Sequence, residues 1–198
     1  MLTPLALELD RQLDRLVELG YPALAGLTVE AFRTLAQPLR PLVPASSYLL
    51  VVRSTLVPTV DAVERWTVAG KAGWTDMADE LAGFRPTADV AVPDADLYLL
   101  TDVSTGAETL GVTPADALPQ IAAHGRTPLT IDEGVALVTQ HPDVFETHNA
   151  FQALGSRAAN KRIPSFWVSK GAPRLGWCWL NNPHSWLGSA SAEARLAA

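Results

Sequence analysis

Leu5, Leu9, Leu13 and Leu16 recur at helical spacing, with charged residues between them, so the chain is predicted to open with an amphipathic helix. Thr3-Pro4 just ahead supplies a hydroxyl cap and a proline at the first helical position. Gly20 supplies a stop, since glycine takes the left-handed cap conformation without strain. Arg11 with Asp14, and Arg15 with Glu18, are i,i+3 pairs expected on the wet side. A second helix is predicted from Thr28, turning Phe32, Leu35 and Leu39 inward. The prolines between Gln37 and Pro44 predict a connector.

The apolar period then shortens. Ser47 to Val52 reads as a buried strand, Arg65 to Val68 as a weaker one, and Ala69-Gly70-Lys71 as a turn. Ala95 to Val103 (ADLYLLTDV) is the clearest strand of the first half. Thr113-Pro114 starts a helical stretch, but Pro119 inside it removes a backbone donor, which predicts two short turns rather than one helix. Thr130-Ile131-Asp132-Glu133 is a capping box ahead of the stripe Ile131, Val135, Val138, and Pro142 ends that helix. Residues 143 to 155 fit helix and strand equally. Three late strands are predicted at Ile163 to Ser169, Arg174 to Trp179 and Ser185 to Ser189, joined by Lys170-Gly171-Ala172-Pro173 and Asn181-Asn182-Pro183.

Early helices followed by a late meander predict an α+β fold. N-terminal helices (1–45) would pack on a mixed, mainly antiparallel sheet that ends in a Trp-rich three-stranded meander (160–191), all in one domain over 1–198. A chain of this length buries roughly 70% of its unfolded surface, enough for an ordinary core.

Charge changes this picture. Residues 1 to 146 carry 9 Lys+Arg against 20 Asp+Glu, a net of −11. Residues 147 to 192 carry no acid but hold Arg157, Lys161, Arg162, Lys170 and Arg174, a net of +5, with four of the six tryptophans and the lone cysteine, Cys178. A cationic aromatic segment on an acidic body suggests recognition of an anion. The overall charge of −6 argues against a general nucleic-acid binder. A single cysteine allows no internal disulfide. Glu8 and Asp10 follow the start too closely for a signal peptide, and no apolar run is long enough for a bilayer, so a cytoplasmic setting without membrane contact is expected. Arg outnumbering Lys by 12 to 3, with abundant Ala, points to a GC-rich bacterial genome.

The runs ELDRQLDRLVELGYPALAGL (8–27), LTIDEGVALVTQHP (129–142) and RLGWCWLNNPHSWLGSAS (174–191) resemble an actinobacterial family known only as a domain of unknown function. The resemblance covers nearly the whole chain and implies a bacterial, cytosolic protein. It brings no activity, substrate, cofactor or catalytic residue.

The residues themselves offer several chemistries. If Trp179 pairs with His184 around a four-residue loop, then Trp177, Trp179, His184 and Trp186 share a face and Cys178 lies opposite. A three- or five-residue loop instead joins Cys178, His184 and Trp186, and only then could a Cys–His nucleophile pair form. The plain alternative buries the indoles as core and leaves Cys178 a small apolar residue. Lys170, Arg174 and Arg162 suit an anion, whereas they could equally neutralise the acidic body. His124, His141, His148 and His184 are scattered, and one cysteine cannot build the common zinc sets. Asp94, Asp96 and Asp102 could hold a hard cation but read rather as turn residues and caps, and Asp132 and Glu133, a candidate carboxylate pair for catalysis, read rather as a helix start. No phosphate loop, dinucleotide fingerprint, metalloprotease helix or hydrolase elbow is present, so no cofactor is implied.

The reading that follows is a binding or regulatory module. Trp177, Trp179, Trp186 and His184 would supply flat contact, and Lys170, Arg174 and Arg162 charge, for an anionic small molecule or an acidic protein segment. An enzyme using Cys178 and His184 is the second reading. A homodimer formed through the aromatic face is the third.

Overall fold

The computed structural model describes residues 4–145 and 150–198. Helix α1 (Pro4–Glu18) buries Leu9, Leu13 and Leu16, and Gly20 takes φ 81° beyond its end, as the leucine stripe and the glycine stop require. The Thr3 cap lies outside the described residues. The expected pairs on this helix form differently: Arg11 binds Glu8, Arg15 donates to the Thr139 carbonyl at 2.7 Å, and Asp14 reaches Arg33. A short α2 (Tyr21–Leu24) leads to α3 (Val29–Leu35), which Thr28 caps by accepting from Ala31 N–H. Phe32 and Leu39 point inward as expected, but Leu35 is 38% exposed, because the chain leaves the helix there for 3-10 turns over Gln37–Leu42.

Strand β1 (Tyr48–Val52) is buried along its whole length. Its outer edge is closed by a side chain: Gln12 donates to the Tyr48 carbonyl at 3.0 Å and accepts from Leu50 N–H at 2.6 Å. An uncovered strand edge would leave those groups without partners in the core. After α4 (Thr59–Glu64) comes a hairpin, β2 (Thr67–Val68) with β3 (Lys71–Ala72), turning at Ala69-Gly70 where φ is positive. Then follow β4 (Trp74–Thr75), 3-10 turns over Ala78–Gly83, β5 (Arg85–Pro86) and β6 (Leu97–Thr101).

Helix α5 (Pro114–Ala123) continues through Pro119, contrary to the two short turns expected. Pro119 is exposed, and Ala117 and Ile121, buried on either side of it, hold the helix to the core. Strand β7 (Thr127–Pro128) precedes α6 (Ile131–Gln140), whose capping box forms in full. The ambiguous stretch resolves into a 3-10 turn at Pro142–Phe145 and strand β8 (Ala150–Gln152); His148 lies outside the described residues. Strands β9 (Ser156–Arg157), β10 (Arg162–Ser169), β11 (Ala172–Trp179), β12 (Leu187–Ser189), β13 (Ser191–Ala192) and β14 (Ala194–Leu196) complete the fold.

The result is α+β, with one antiparallel sheet ordered β1-β6-β14 and a mixed sheet ordered β12-β8-β10-β11-β4. β10 and β11 form the expected hairpin, with Arg162 opposite Trp179. The third late strand does not extend it into a meander. β12 runs parallel to β8 instead, and β11 takes β4 as its other neighbour. The reason lies in the loop between them. Ala115 N–H donates to the Leu180 carbonyl and Gly111 N–H to the His184 carbonyl, which draws the loop toward the 104–116 segment. There Gly106 and Gly188 let the two backbones touch, since a Cβ on Gly188 would lie 2.4 Å from the Thr105 carbonyl oxygen.

Phe166, Phe151 and Trp66 cluster beneath α6, with the two phenyl rings stacked at 4.7 Å. Among the described residues no helix is long and apolar enough to cross a membrane.

Candidate functional site

The indole-rich hairpin divides its chemistry between two faces. Side chains alternate along a strand. Arg162, Phe166, Leu175, Trp177 and Trp179 therefore face one way, and Trp167, Arg174 and Cys178 the other. Trp186 packs edge-on against Trp167 at 6.3 Å and His184 against Trp186 at 5.4 Å, so these two join the Cys178 side of the hairpin. The common face of Trp177, Trp179, His184 and Trp186 that a four-residue loop would give is not formed; His184 and Trp186 lie on the Cys178 side, the grouping that the alternative register gave, although β4 and not the 187–189 strand is the second neighbour of β11.

Its strongest charges are occupied. Arg162 stacks on Trp177 and binds Glu80. Arg174 lies between Trp74 and Trp167, 4.6 and 4.8 Å from their centres, and its Nη2 donates to Asp76 at 2.7 Å. That hydrogen bond holds the Asp76 carboxyl below its ordinary range. Lys170 is exposed, with its ammonium 5.6 Å from the Trp74 ring. Trp179 and Trp186 are the exposed indoles, at 47% and 37%.

Cys178 and His184 do not form a pair. Burial pushes the Cys178 thiol up, its hydrogen bond being with Ser165, while His184 contacts Asn182 and Trp186. A thiol raised by burial and without an oriented base lacks both conditions for a nucleophile. Asp102 binds Arg126 and Asp96 accepts from Thr55, while no group of three metal-binding side chains occurs among the described residues.

A wider concavity lies elsewhere, at the start of α6. β1 is apolar until Val52, and the polar run Arg53-Ser54-Thr55 then emerges from the sheet into a turn closed by Val57 N–H on the Arg53 carbonyl. The Ser54 N–H and hydroxyl both donate to Asp132, at 3.2 and 3.3 Å, which ties this turn to the first turn of α6. A cleft of about 480 Å³ opens beside them. Arg53, Ser54, Thr59 and Asp132 form its polar wall; Leu81, Phe84, Val92 and Ile131 form its apolar wall. This size and mixture suit a small organic molecule.

The electrostatics of the cleft centre on two groups. Burial raises the Asp132 carboxyl, while its bonds from Ser54 and the Arg53 charge pull the other way. Arg53 approaches Asp132 only to 3.9 Å, donates through Nη1 to the Pro93 carbonyl at 3.0 Å, and leaves its buried Nε without an acceptor. The neighbouring Glu133 is already spent. It is fully buried, accepts from Tyr98, Thr130 N–H and both sides of the Arg195 guanidinium, and so fastens β14 to α6.

In the sequence Asp132 stands out as a candidate carboxylate but is better explained as part of a helix start, and Arg53 and Ser54 are not singled out. The signal was present: a polar triplet directly after a fully apolar strand is where loops carry sites.

Comparison with family models matches residues 15–198 to a family described as Family of unknown function (DUF5701). The chain belongs to that family. Neither a curated protein nor a solved structure matches it. DUF5701 membership thus brings no residue role, and the cleft stands on its own geometry.

Proposed function

We propose that this DUF5701 chain is a non-enzymatic binding module for an anionic small molecule, held in the cleft between the Arg53 turn and α6. The ligand class is an organic acid with an apolar body. Its acid group faces Arg53, whose Nε lacks an acceptor, while Leu81, Phe84 and Val92 cover the body. The observation that carries the reading is the loosely paired Arg53 guanidinium, 3.9 Å from Asp132, beside an apolar wall in a cleft of about 480 Å³, whereas Arg162 and Arg174 of the aromatic hairpin hold Glu80 and Asp76 closely. A cytoplasmic location belongs to the same proposal; the single cysteine is compatible with a reducing compartment.

Asp132 makes binding depend on pH. An incoming anion competes with Asp132 for Arg53 and favours the protonated carboxyl. Binding therefore takes up a proton and tightens as pH falls toward the raised Asp132 value. A sulfonate ligand keeps its own charge constant during that test.

Thermal-shift screening with alkyl and aryl carboxylates and sulfonates tests the reading. A ligand at 100 times its Kd stabilises by about 2.7 kcal/mol, or roughly 5–11 °C for a chain of this size. Arg53→Ala should weaken the best ligand about 10- to 100-fold, the worth of a charge-assisted hydrogen bond. No stabilising acid, or equal responses in wild type and Arg53→Ala, overturns it.

A further inference from the structure

A second anion site lies at the ridge that borders this cleft, where Arg85 lines the cleft and Arg157 lines the pocket on the other side. The ridge is the β5–β9 ladder, in which Arg85 stands directly opposite Arg157. Opposed residues of an antiparallel pair project from the same face with Cβ atoms about 5 Å apart, and like charges at such positions repel.

The other guanidiniums show how unusual this is. The chain has 12 arginines. Eight of them are ion-paired: Arg11, Arg33, Arg40, Arg53, Arg126, Arg162, Arg174 and Arg195. Arg15 holds a backbone carbonyl. That leaves Arg65, Arg85 and Arg157 with no side-chain partner among the described residues, and two of these three face each other. Arg157 is moreover half-buried, with an Nε sealed from solvent and no acceptor; Arg53, Arg162 and Arg174 share that feature, but each of those three also has a carboxylate partner. A buried donor without a partner costs about 1–3 kcal/mol. Two such features at one spot call for an anion between the guanidiniums.

The surroundings fit one. Arg157 lines a pocket of about 330 Å³ whose floor is α5, through Leu118 and Ala122, and whose walls carry the Thr87 and Thr127 side chains. Thr87 is two residues beyond Arg85 and so lies on the same face. Arg126 also borders this pocket, but its nitrogens are engaged by Asp102 and Ser191. Asp89 on the rim is exposed and forms no ion pair with either arginine.

We infer that Arg157, in the pocket between the β5–β9 ladder and α5, and Arg85, opposite it on the ladder, together bind a phosphoryl group, with the Thr87 hydroxyl as a further donor. Two guanidinium forks match a phosphate dianion in charge and in number of acceptor oxygens, whereas a single carboxylate would leave one fork unfilled. The group can arrive as free phosphate or as the end of a phosphomonoester.

Calorimetric titration at fixed ionic strength, with inorganic phosphate and with glycerol phosphate against sodium chloride, tests this. Binding of either phosphate species to the wild type, weakened about 10-fold or more in Arg157→Gln and in Arg85→Gln, supports the site, and the tighter species identifies its source. A thermal scan adds a readout that a merely structural arginine would not give. In phosphate-free buffer Arg85→Gln relieves the repulsion and should melt no lower than wild type; in phosphate the order reverses. No phosphate binding by the wild type, or unchanged binding in both variants, overturns the inference. Arg85 lines the larger cleft but Arg157 does not, so Arg157→Gln should keep the response to organic acids and is the variant that separates the two sites.

Discussion

Replacing Arg195 by methionine should be among the most damaging single changes outside the apolar core. Arg195 meets Glu133 through Nε at 2.5 Å and Nη2 at 2.8 Å, and its guanidinium also donates to the Thr127 hydroxyl at 2.9 Å and the Pro128 carbonyl at 3.1 Å. The two side chains are 7% and 0% exposed, so water cannot replace the lost partner. Removing one member of such a pair strands a buried charge and costs about 3–5 kcal/mol. Against a typical total of about 5–15 kcal/mol that is a large share, and for a chain of this size it lowers Tm by roughly 6–20 °C. Urea unfolding followed by tryptophan fluorescence, with calorimetry for Tm, measures it. Glu133→Gln added to Arg195→Met removes the stranded charge, so the double variant should lose far less than the sum of the two singles. A loss below about 1 kcal/mol for Arg195→Met, or simple additivity in the cycle, would refute the reasoning.

Other outcomes follow from the same structure. A Cβ on Gly134 would lie 2.5 Å from the Phe166 ring; Gly134→Ala should therefore cost about 1–3 kcal/mol through overpacking, read by urea unfolding. Burial raises the Cys178 thiol, so iodoacetamide at neutral pH should modify it far more slowly in the folded chain than in urea. Asp132 is raised in the folded state. Below its unfolded value it costs nothing; the penalty grows as pH climbs from the unfolded toward the folded value and is constant above that. Asp132→Asn should thus gain on wild type between acid and neutral pH in a series of melting curves.

The parts of the fold that were legible in the sequence are those decided locally. The α6 box needs only Thr130 and Glu133 three residues apart, and the β10–β11 hairpin only two apolar runs and the Lys170-Gly171 turn. What was hidden is decided by distant backbone. β12 was expected beside β11 because it follows it, yet Gly106 and Gly188 draw it to the 104–111 segment and so to β8. Because His184 and Trp186 travel with that loop, the imagined aromatic face came apart at the same point. Charge was indecisive for a related reason. Counting acids along the chain left Arg162 and Arg174 open between an outside anion and the protein's own acids, and Glu80 and Asp76, distant in sequence, fold onto them. Arg85 and Arg157 illustrate the converse, since only the ladder register brings them opposite each other.

Amide chemical-shift mapping of the labelled chain during titration with hexanesulfonate locates recognition without assuming a residue. Binding in the cleft predicts shifts concentrated on Arg53, Ser54, Thr55 and the first turn of α6, fading in Arg53→Ala. Shifts concentrated instead on the Trp167, Trp177 and Trp186 signals, with Ser54 and Asp132 unmoved, would place the ligand on the aromatic hairpin and contradict the cleft as the binding site.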